Sequence, residues 1–293
     1  MSAAIYPADL ERRFGGLARL YGVEGAQKIR SAHVVVVGLG GVGSWAAEAL
    51  ARSGVARLTL IDLDHIAESN INRQIHALDT TLGQAKVQAM RERIAHINPE
   101  CDVRCLEEFV DASNWPGIAG LDLAAESSVS ILDACDQVRA KTAMAAWALA
   151  HNDKRNSQPK VNFISVGAAG GKRHAHKVDI DDLSLTTHDP LLAQLRYRLR
   201  KEQGAARLGK IGVTCVFSRE AVMQPAAVGV AENEAPVLEM PLAADAAASD
   251  GSLNCHGYGS VVSVTSTFGI CAAGWLLEKI ASSNFQNPTK SAL

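Results

Sequence analysis

Residues 33–64 read HVVVVGLGGVGSWAAEALARSGVARLTLIDLD, and the rest of the chain is organised around them. The apolar β-branched run at 34–37 predicts a short buried strand. The glycines after it predict a sharp turn whose backbone N–H groups can approach a phosphate. A helix at 44–52 and a second strand at 58–61 follow. That strand ends in Asp62, about 20 residues after the first glycine, where a carboxylate reaches a ribose hydroxyl. The pattern predicts nucleotide binding and leaves NAD and ATP open.

The same alternation continues along the chain. Further strands are predicted at 101–106, 129–132 and 160–166, and further helices at 84–97 and 137–150. This order predicts an α/β fold, a Rossmann-like, doubly wound and mostly parallel sheet with helices on both faces. Ligands of such sheets bind at the carboxyl ends of the strands. Three sets of residues follow strand ends and are expected to meet there: the glycines at 38–43, Asp62 with Asp64, and Asp133 with Asp136.

The chain of 293 residues is long enough for one large domain with an appendage. We interpret residues 1–293 as a single domain with a core at 33–171 and an irregular C-terminal extension at 172–293. Residues 1–32 are expected to form a helical lead-in. Residues 221–254 contain five acids and no base in an Ala- and Pro-rich sequence, which predicts a mobile loop.

Composition narrows the class of protein. A net charge of −2 gives no global nucleic-acid signature, so a surface for nucleic acid must be local. The six cysteines include no C-x-x-C pair, which argues against a structural zinc site and fits the reducing cytoplasm. The uncharged run at 261–277 is shorter than the ~20 residues of a spanning helix. We expect a buried closing helix there, and membrane association through 261–277 is the alternative.

Two charged features have two interpretations each. Lys86 falls in the first turn of a predicted helix, where a cation is unfavourable for the helix dipole unless an anion lies nearby. The other interpretation is an ordinary surface lysine. Residues 196–210 contain six basic side chains against one acidic side chain. This patch predicts either phosphate binding or a solvated face.

Four motifs resemble the ubiquitin-activating-type, ThiF/MoeB-like adenylating superfamily: GLGGVGS at 38–44, IDLDHIAESNINRQ at 61–74, Lys86, and DACDQ at 133–137. Four more are similar to its tRNA-modifying branch, the tRNA threonylcarbamoyladenosine dehydratases: RFGGLARLYG at 13–22, NRQIHAL at 72–78, VGAAGG at 166–171 and GVTCVFS at 212–218. Activators of sulfur-carrier proteins usually carry two C-x-x-C zinc pairs, and this sequence has none. That absence favours the tRNA branch.

The resemblance implies an ATP-dependent ligase that adenylates the threonyl carboxylate of N6-threonylcarbamoyladenosine in tRNA. The carbamoyl group then closes a ring with net loss of water, and tethering of the reacting groups assists this step. An alternative is adenylation of the C-terminus of a ubiquitin-like sulfur-carrier protein. Two further alternatives are an NAD-dependent oxidoreductase, from the glycine turn alone, and a scaffold without catalytic activity.

The resemblance also implies roles for particular residues. ATP is expected to contact Gly38, Gly40, Gly41, Gly43, Asp62, Asp64, Asn70, Arg73, Gln74 and Lys86. The expected catalytic residues are Arg73, Lys86, Asp136 and Arg13. Of these, Asp136 would hold Mg²⁺ and Arg13 would come from the partner subunit of a homodimer, with Arg12 as its substitute. The expected contacts to tRNA phosphates are Lys172, Arg173, Arg196, Arg198, Arg200 and Lys210. A cysteine desulfurase with its sulfur acceptor is left open as a partner, and DNA is not expected.

Overall fold

A computed structural model describes residues 8–121, 129–152, 161–223 and 258–283. The strands in these ranges are β1 (His33–Val37), β2 (Arg57–Ile61), β3 (Asp102–Leu106), β4 (Val129–Asp133), β5 (Val161–Val166), β6 (Val178–Asp182) and β7 (Thr214–Ser218). The α-helices are α1 (Leu10–Phe14), α2 (Leu17–Ser31), α3 (Gly43–Arg52), α4 (Lys86–Ile97), α5 (Val138–His151), α6 (Pro190–Glu202) and α7 (Val262–Ser282).

All seven strands belong to one sheet in the order β3-β2-β1-β4-β5-β7-β6. Every neighbouring pair is parallel except β6 with β7, which is antiparallel. Strand β1 lies between β2 and β4, and its Val34 is in register with Leu58 of β2 and with Ser130 of β4. The chain order reverses between β1 and β4. This reversal is the switch point at which doubly wound sheets bind ligands. The predicted α/β fold with a mostly parallel sheet is confirmed.

The valines of β1 show why its sequence is continuously apolar. Val34 and Val36 pack into a core with α3, α4 and α7, whereas Val35 and Val37 pack into a second core with α5 and α6. Successive side chains of a strand point to opposite faces, so a strand covered on both faces needs an apolar residue at every position. Helices on both faces are confirmed.

The apolar run at 261–277 forms most of α7, which packs against α2 and α3. Val264, Phe268 and Leu276 are buried in that packing. A Cβ at Gly269 would lie 2.3 Å from the carbonyl oxygen of Val42, so the backbone of α7 is in direct contact with the backbone at the start of α3. Among the described helices, none has the combination of length and hydropathy needed to cross a membrane.

Beyond residue 171 the described chain continues the same sheet. Strands β6 and β7 extend it on one side, and α6 covers one of its faces. Strand β6 begins directly after a 3₁₀ turn at Ala175–Lys177. The predicted loop at 221–254 lies outside the described residues except for 221–223. Helices α1 and α2 confirm the helical lead-in for residues 10–31.

Candidate active site

A cavity of about 300 Å³ lies at the carboxyl ends of β1, β2, β4 and β5, beside the switch point. Three glycines of the turn after β1 and seven polar residues expected near the strand ends line this cavity: Gly38, Gly40, Gly41, Asp62, Asp64, Asn70, Arg73, Gln74, Lys86 and Asp136. Gly43 is buried just behind this cavity as the first residue of α3. The expected convergence of separate segments on one edge is therefore what the fold produces.

The glycine turn has two kinds of glycine. Gly38 has a φ of +86°, and a Cβ there would lie 2.8 Å from the backbone of Ala134, so the turn itself requires glycine. At Gly43 a Cβ would lie 1.7 Å from the carbonyl oxygen of Gly38. At Gly40, by contrast, a Cβ would meet no atom of the described residues within 4 Å. Packing explains Gly38 and Gly43, whereas Gly40 keeps space open at the cavity.

Asp62 is anchored to the glycine turn. Its Oδ2 accepts a hydrogen bond from the Leu39 N–H at 2.5 Å, and its Oδ1 accepts one from the Asp64 N–H at 2.9 Å. Burial raises the pKa of Asp62, and the charge of Lys86 and these two N–H groups oppose that rise. The carboxylate thus holds the end of β2 against the turn after β1.

Lys86 is not the surface lysine of the second interpretation. It is the first residue of α4 and only 6% exposed, and its Nζ lies 2.6 Å from Asp64 Oδ2 and 3.9 Å from Asp62 Oδ1. These two carboxylates offset the unfavourable position of a cation at a helix N-terminus. The side chain of Asp64 is 61% exposed, so the ion pair opens towards the cavity.

The connection after β2 supplies a further polar wall. Arg73 lies over Gly41, and its Nη1 donates to the Ser69 carbonyl at 2.6 Å and to Asn72 Oδ1 at 3.0 Å. Asn70 is 8% exposed and caps its own turn through Oδ1. Gln74 is 4% exposed, and its Oε1 has no hydrogen-bond partner among the described residues. A buried amide that faces a cavity without a partner is available to a ligand.

The two acids after β4 differ in environment. Asp133 is fully buried beside Lys141, whereas Asp136 is exposed and bonds to none of the described residues. Nowhere in the described ranges do three His, Cys, Asp or Glu side chains cluster as a metal site. A single free carboxylate fits Mg²⁺ that takes its remaining ligands from water and substrate phosphates, as this ion commonly does. Asp136 meets that requirement and Asp133 does not.

Sequence reasoning missed several residues of the cavity. Ser260 and Thr265 line it, and the Ser260 carbonyl accepts a hydrogen bond from Asn72 Nδ2 at 3.2 Å. Phe109, which is 61% exposed, lies at its edge. No local pattern marks these residues, because they reach the site only through the packing of α7 and the exit of β3. Lys141, which is fully buried and does not line the cavity, was missed too, although it lies in the first turn of the helix after β4, as Lys86 does after β2.

Arg13 does not line this cavity in its own chain. Its Nη1 donates to the Ile97 carbonyl at 2.7 Å, at the end of α4. It borders a separate cavity of about 650 Å³ together with Arg52, Arg93 and His76. That cavity is larger, but it contains neither the glycine turn nor the acids at the strand ends. We therefore take the smaller cavity as the candidate active site.

His76 lies between these two regions. It is 2% exposed, and neither ring nitrogen has a hydrogen-bond partner among the described residues. Burial and the charges of Lys86 and Arg93 lower its pKa to about 4. The imidazole is therefore neutral at physiological pH.

The structure corrects two of the six expected tRNA contacts. Lys172 is 2% exposed, and its Nζ donates to the carbonyls of His188 and Glu220. Arg196 is half-buried, and its Nη1 donates to the Leu183 carbonyl at 2.9 Å and to both oxygens of Thr186. Both side chains hold the fold together, so neither is available to a phosphate.

The other four basic residues remain accessible. Arg173 and Lys210 are exposed. Arg198 pairs with Glu202 at 3.0 Å on the surface of α6, and Arg200 Nε donates to the Ala206 carbonyl at 3.2 Å. Surface pairs of this kind are weak and exchange readily for other anions. These four of the six expected residues are therefore accessible to a phosphate.

Comparison with known proteins gives consistent results. Residues 14–291 match the ThiF family. The chain is 42% identical over 274 residues to the tRNA threonylcarbamoyladenosine dehydratase of Escherichia coli (strain K12), with 92% of this chain and 93% of that protein covered. A solved structure of E. coli tRNA N6-threonylcarbamoyladenosine dehydratase in complex with ATP is 38% identical with a TM-score of 0.75. It covers 94% of this chain and 97% of that one.

A relative of the alternative class matches less of the chain. The molybdopterin-synthase adenylyltransferase of Salmonella typhimurium (strain LT2) is 36% identical over 131 residues, which is 44% of this chain and 50% of that protein. The match to this relative therefore covers less than half of the chain, whereas the match to the E. coli dehydratase covers 92% of it.

Proposed function

This chain belongs to the ThiF family, within its tRNA threonylcarbamoyladenosine dehydratase branch, and on that premise we propose that it uses ATP to cyclise N6-threonylcarbamoyladenosine in tRNA. The observation that carries the proposal is the cavity at the switch point. There a glycine turn, the Asp64–Lys86 pair, Arg73 and the free carboxylate of Asp136 face the same space. The two relatives that match over 92% and 93% of the chain bear the dehydratase name, and a solved structure of the E. coli dehydratase holds ATP.

The charges favour ATP over NAD as the nucleotide. Adenylation brings a carboxylate and a triphosphate together, so the site must offset several negative charges in the transition state. Lys86 and Arg73 lie beside the turn at which phosphates bind, and Asp136 is placed to bind a divalent cation that the phosphates also hold. A dinucleotide needs the glycine turn and Asp62 but neither a metal-binding carboxylate nor a second cation.

In the proposed reaction, an oxygen of the threonyl carboxylate attacks the α-phosphorus of ATP and pyrophosphate leaves. The carbamoyl group of the same nucleoside then attacks the acyl adenylate, and AMP leaves with the carboxylate oxygen. Gly40 and its neighbours admit the phosphates, Asp62 holds the ribose, and Asn70 and Gln74 complete the polar wall. Lys86 exchanges Asp64 for a phosphate oxygen, and Arg73 lies alongside. When bound at Asp136, Mg²⁺ would neutralise further phosphate charge.

A homodimer explains how Arg13 takes part. In its own chain Arg13 lies outside the candidate active site, so its proposed role at the phosphates requires the Arg13 of a second subunit. The exposed position of Arg13 on the short helix α1 makes such a contact geometrically available. Arg12 is one residue away and is also exposed.

The tRNA surface is proposed to consist of Arg173, Arg198, Arg200 and Lys210, without Lys172 and Arg196. We place the reaction in the cytoplasm, where tRNA and ATP occur together and where free thiols persist. All five cysteines in the described ranges are free. The described residues offer no argument for a cysteine desulfurase or its sulfur acceptor, and the proposal includes neither.

The experiment compares ATP consumption with three substrates: tRNA that carries the modified nucleoside, unmodified tRNA, and a ubiquitin-like sulfur-carrier protein. ATP is expected to be consumed only in the presence of modified tRNA. Mass spectrometry of that tRNA should show a nucleoside lighter by one water. ATP turnover with the carrier protein and none with modified tRNA would establish the alternative function. Calorimetric titration with ATP and NAD provides a separate check, and tight NAD binding without ATP binding would refute adenylation.

A further inference from the structure

Lys141 is a buried charged residue that the proposed reaction does not use. Its side chain is 0% exposed, and its Nζ has four acceptors. They are the Val166 carbonyl at 2.7 Å, Asp133 Oδ2 at 3.1 Å, Ser165 Oγ at 3.3 Å and the Asp133 carbonyl at 3.4 Å. Every proton of the ammonium group is thus directed to a fixed oxygen of the protein.

These acceptors belong to the last residues of two adjacent strands. Asp133 ends β4, and Ser165 and Val166 end β5. Ser165 Oγ also donates to Asp133 Oδ2 at 2.6 Å, which closes the network across the two strands. Burial by itself would lower the pKa of Lys141, but the adjacent carboxylate of Asp133 raises it above its usual value. The ammonium group is charged in the folded protein.

The two strand exits that this network joins are two walls of the candidate active site. After β4 come residues 134–137, which include Asp136, and after β5 come residues 167–170. A second contact fixes residues 167–170, because Asp189 Oδ2 accepts a hydrogen bond from the Ala168 N–H at 2.9 Å. The position of Asp136 relative to residues 167–170 therefore depends on Lys141, Asp133 and Ser165.

A stabilising role alone does not account for this arrangement. Burying two charges is costly, and apolar residues of similar volume often fill such a space with equal or better stability. What an ion pair with directed hydrogen bonds adds is a defined geometry at the strand exits. We infer that Lys141 is a positioning residue, which holds the Asp136 segment and residues 167–170 in the arrangement that binds ATP. This inference rests on the proposed function.

The test replaces the pair together, as Lys141→Met with Asp133→Leu, so that no unpaired charge stays buried. The double variant is expected to melt close to wild type. Its affinity for ATP in the presence of Mg²⁺, measured by calorimetry, should fall on the order of 10- to 100-fold, as when the partners that orient a metal ligand are removed. Affinity for tRNA should not change. A stable double variant with wild-type ATP affinity would overturn the inference.

Ser165→Ala covers the case in which the double variant does not fold. It removes one hydroxyl from the network and leaves the ion pair in place. Weaker ATP binding at an unchanged melting temperature supports the positioning role. Unchanged ATP binding by Ser165→Ala, with no folded double variant, counts against it and assigns Lys141 to stability alone.

Asn152→Ala is the matched control. Asn152 makes two hydrogen bonds with the backbone of Val161 at the opposite end of β5, at 2.7 and 3.0 Å. Its loss should lower the melting temperature and leave ATP affinity intact. Because ATP binding is measured without tRNA turnover, the result is separate from the proposed function. Wild type that binds ATP but forms no cyclic nucleoside would refute the function and leave the positioning test valid.

Discussion

The β2–α4 and β4–α5 units have the same construction, but their ion pairs differ in exposure to solvent. In each, a strand ends in an acidic segment, and a lysine in the first turn of the next helix returns to it. Lys86 Nζ lies 2.6 Å from Asp64 Oδ2, and Lys141 Nζ lies 3.1 Å from Asp133 Oδ2. Asp64 is 61% exposed, whereas Asp133 is fully buried.

The difference lies in what else each lysine binds. Lys86 has exposed Asp64 as its close partner, and a phosphate can displace that carboxylate at little cost because exposed ion pairs are weak. The ammonium group of Lys141 is directed to two carbonyls and a hydroxyl as well as its carboxylate. A lysine at a strand end therefore serves a ligand or the fold according to whether its partners are exchangeable.

Lys86→Met should have the largest effect on activity. It removes a cation proposed to offset charge in the transition state, so the rate of ring closure should fall about 100- to 1000-fold. The melting temperature should also fall, because loss of Lys86 removes the charge that opposes the raised pKa of Asp62. Mass spectrometry of the tRNA nucleosides and a thermal melt measure the two effects.

Lys28→Met is the control for that variant. Lys28 is half-buried and donates to the Ala281 and Ser283 carbonyls, away from the cavity. It should lose stability without a specific loss of rate. Near-normal cyclisation by Lys86→Met would show that Lys86 does not act on the substrate phosphates, and the proposed difference between the two units would be wrong.

Asp136→Asn separates the exposed acid of the β4–α5 unit from its buried ion pair. The rate should fall about 100-fold, because an amide is a weaker ligand for Mg²⁺ and a charge that positions the phosphates is lost. The melting temperature should stay close to wild type, since Asp136 is exposed and has no described partner. Titration with Mg²⁺ at fixed ATP measures the change.

Glu100→Gln serves as its control, since it neutralises an exposed carboxylate at the opposite edge of the sheet, just before β3. A normal rate and a normal Mg²⁺ requirement for Asp136→Asn would mean that the metal is held elsewhere. The β4–α5 unit would then serve the fold alone.

Neutralising Arg198, Arg200 and Lys210 to Gln tests whether tRNA uses a surface separate from both units. Affinity for tRNA should fall about tenfold at physiological salt, and its salt dependence should become shallower because fewer counterions are released. ATP affinity should not change. Replacement of exposed Arg19, Arg91 and Lys279 by Gln provides a control with the same change in charge. Equal tRNA binding by the two triple variants would place the docking surface elsewhere.

The smallest effect concerns stability and the surroundings of Lys86. Because the pKa of His76 falls to about 4 in the folded protein, the unfolded chain binds a proton below its ordinary pKa of 6.5 that the folded chain does not. The free energy of unfolding should therefore decrease as pH falls, by about 1 kcal/mol between roughly pH 6.5 and pH 5.5 from this residue. Chemical denaturation of wild type and of His76→Leu at both pH values measures the part of this decrease that comes from His76. An identical decrease in both proteins would contradict this account.

Local spacing was enough to predict most of the sheet and one edge of the site. The run at 34–37, the glycine turn and the position of Asp62 follow from chain geometry within about 30 residues, the length of one βαβ unit. The same reasoning could not distinguish Asp133 from Asp136. Asp133 ends β4 and Asp136 lies three residues later, and only the packing of β5 and α5 buries the first and leaves the second exposed.

The basic residues show the limit of the sequence most clearly. Six were expected to face tRNA, yet Lys172 and Arg196 donate to backbone carbonyls of residues up to 48 positions away. Charge is visible in a sequence, but the acceptors that neutralise it are brought close only by the folded chain. Lys86 shows the same limit, since its helix position left a nearby anion and an ordinary surface lysine both open, and only the fold showed that Asp64 lies beside it.

Local patterns predicted the alternation of strands and helices as far as residue 166, the glycine turn and the acids at the strand ends, because backbone turns and strand periodicity depend on near neighbours. Tertiary structure alone decided which lysine has a partner that a ligand can displace and which arginines remain exposed. It also brought Ser260 and Thr265 to the wall of the cavity. The reason is physical. Burial and hydrogen-bond satisfaction depend on segments far apart in the chain, and these two quantities determine whether a charged side chain binds a ligand or holds the fold.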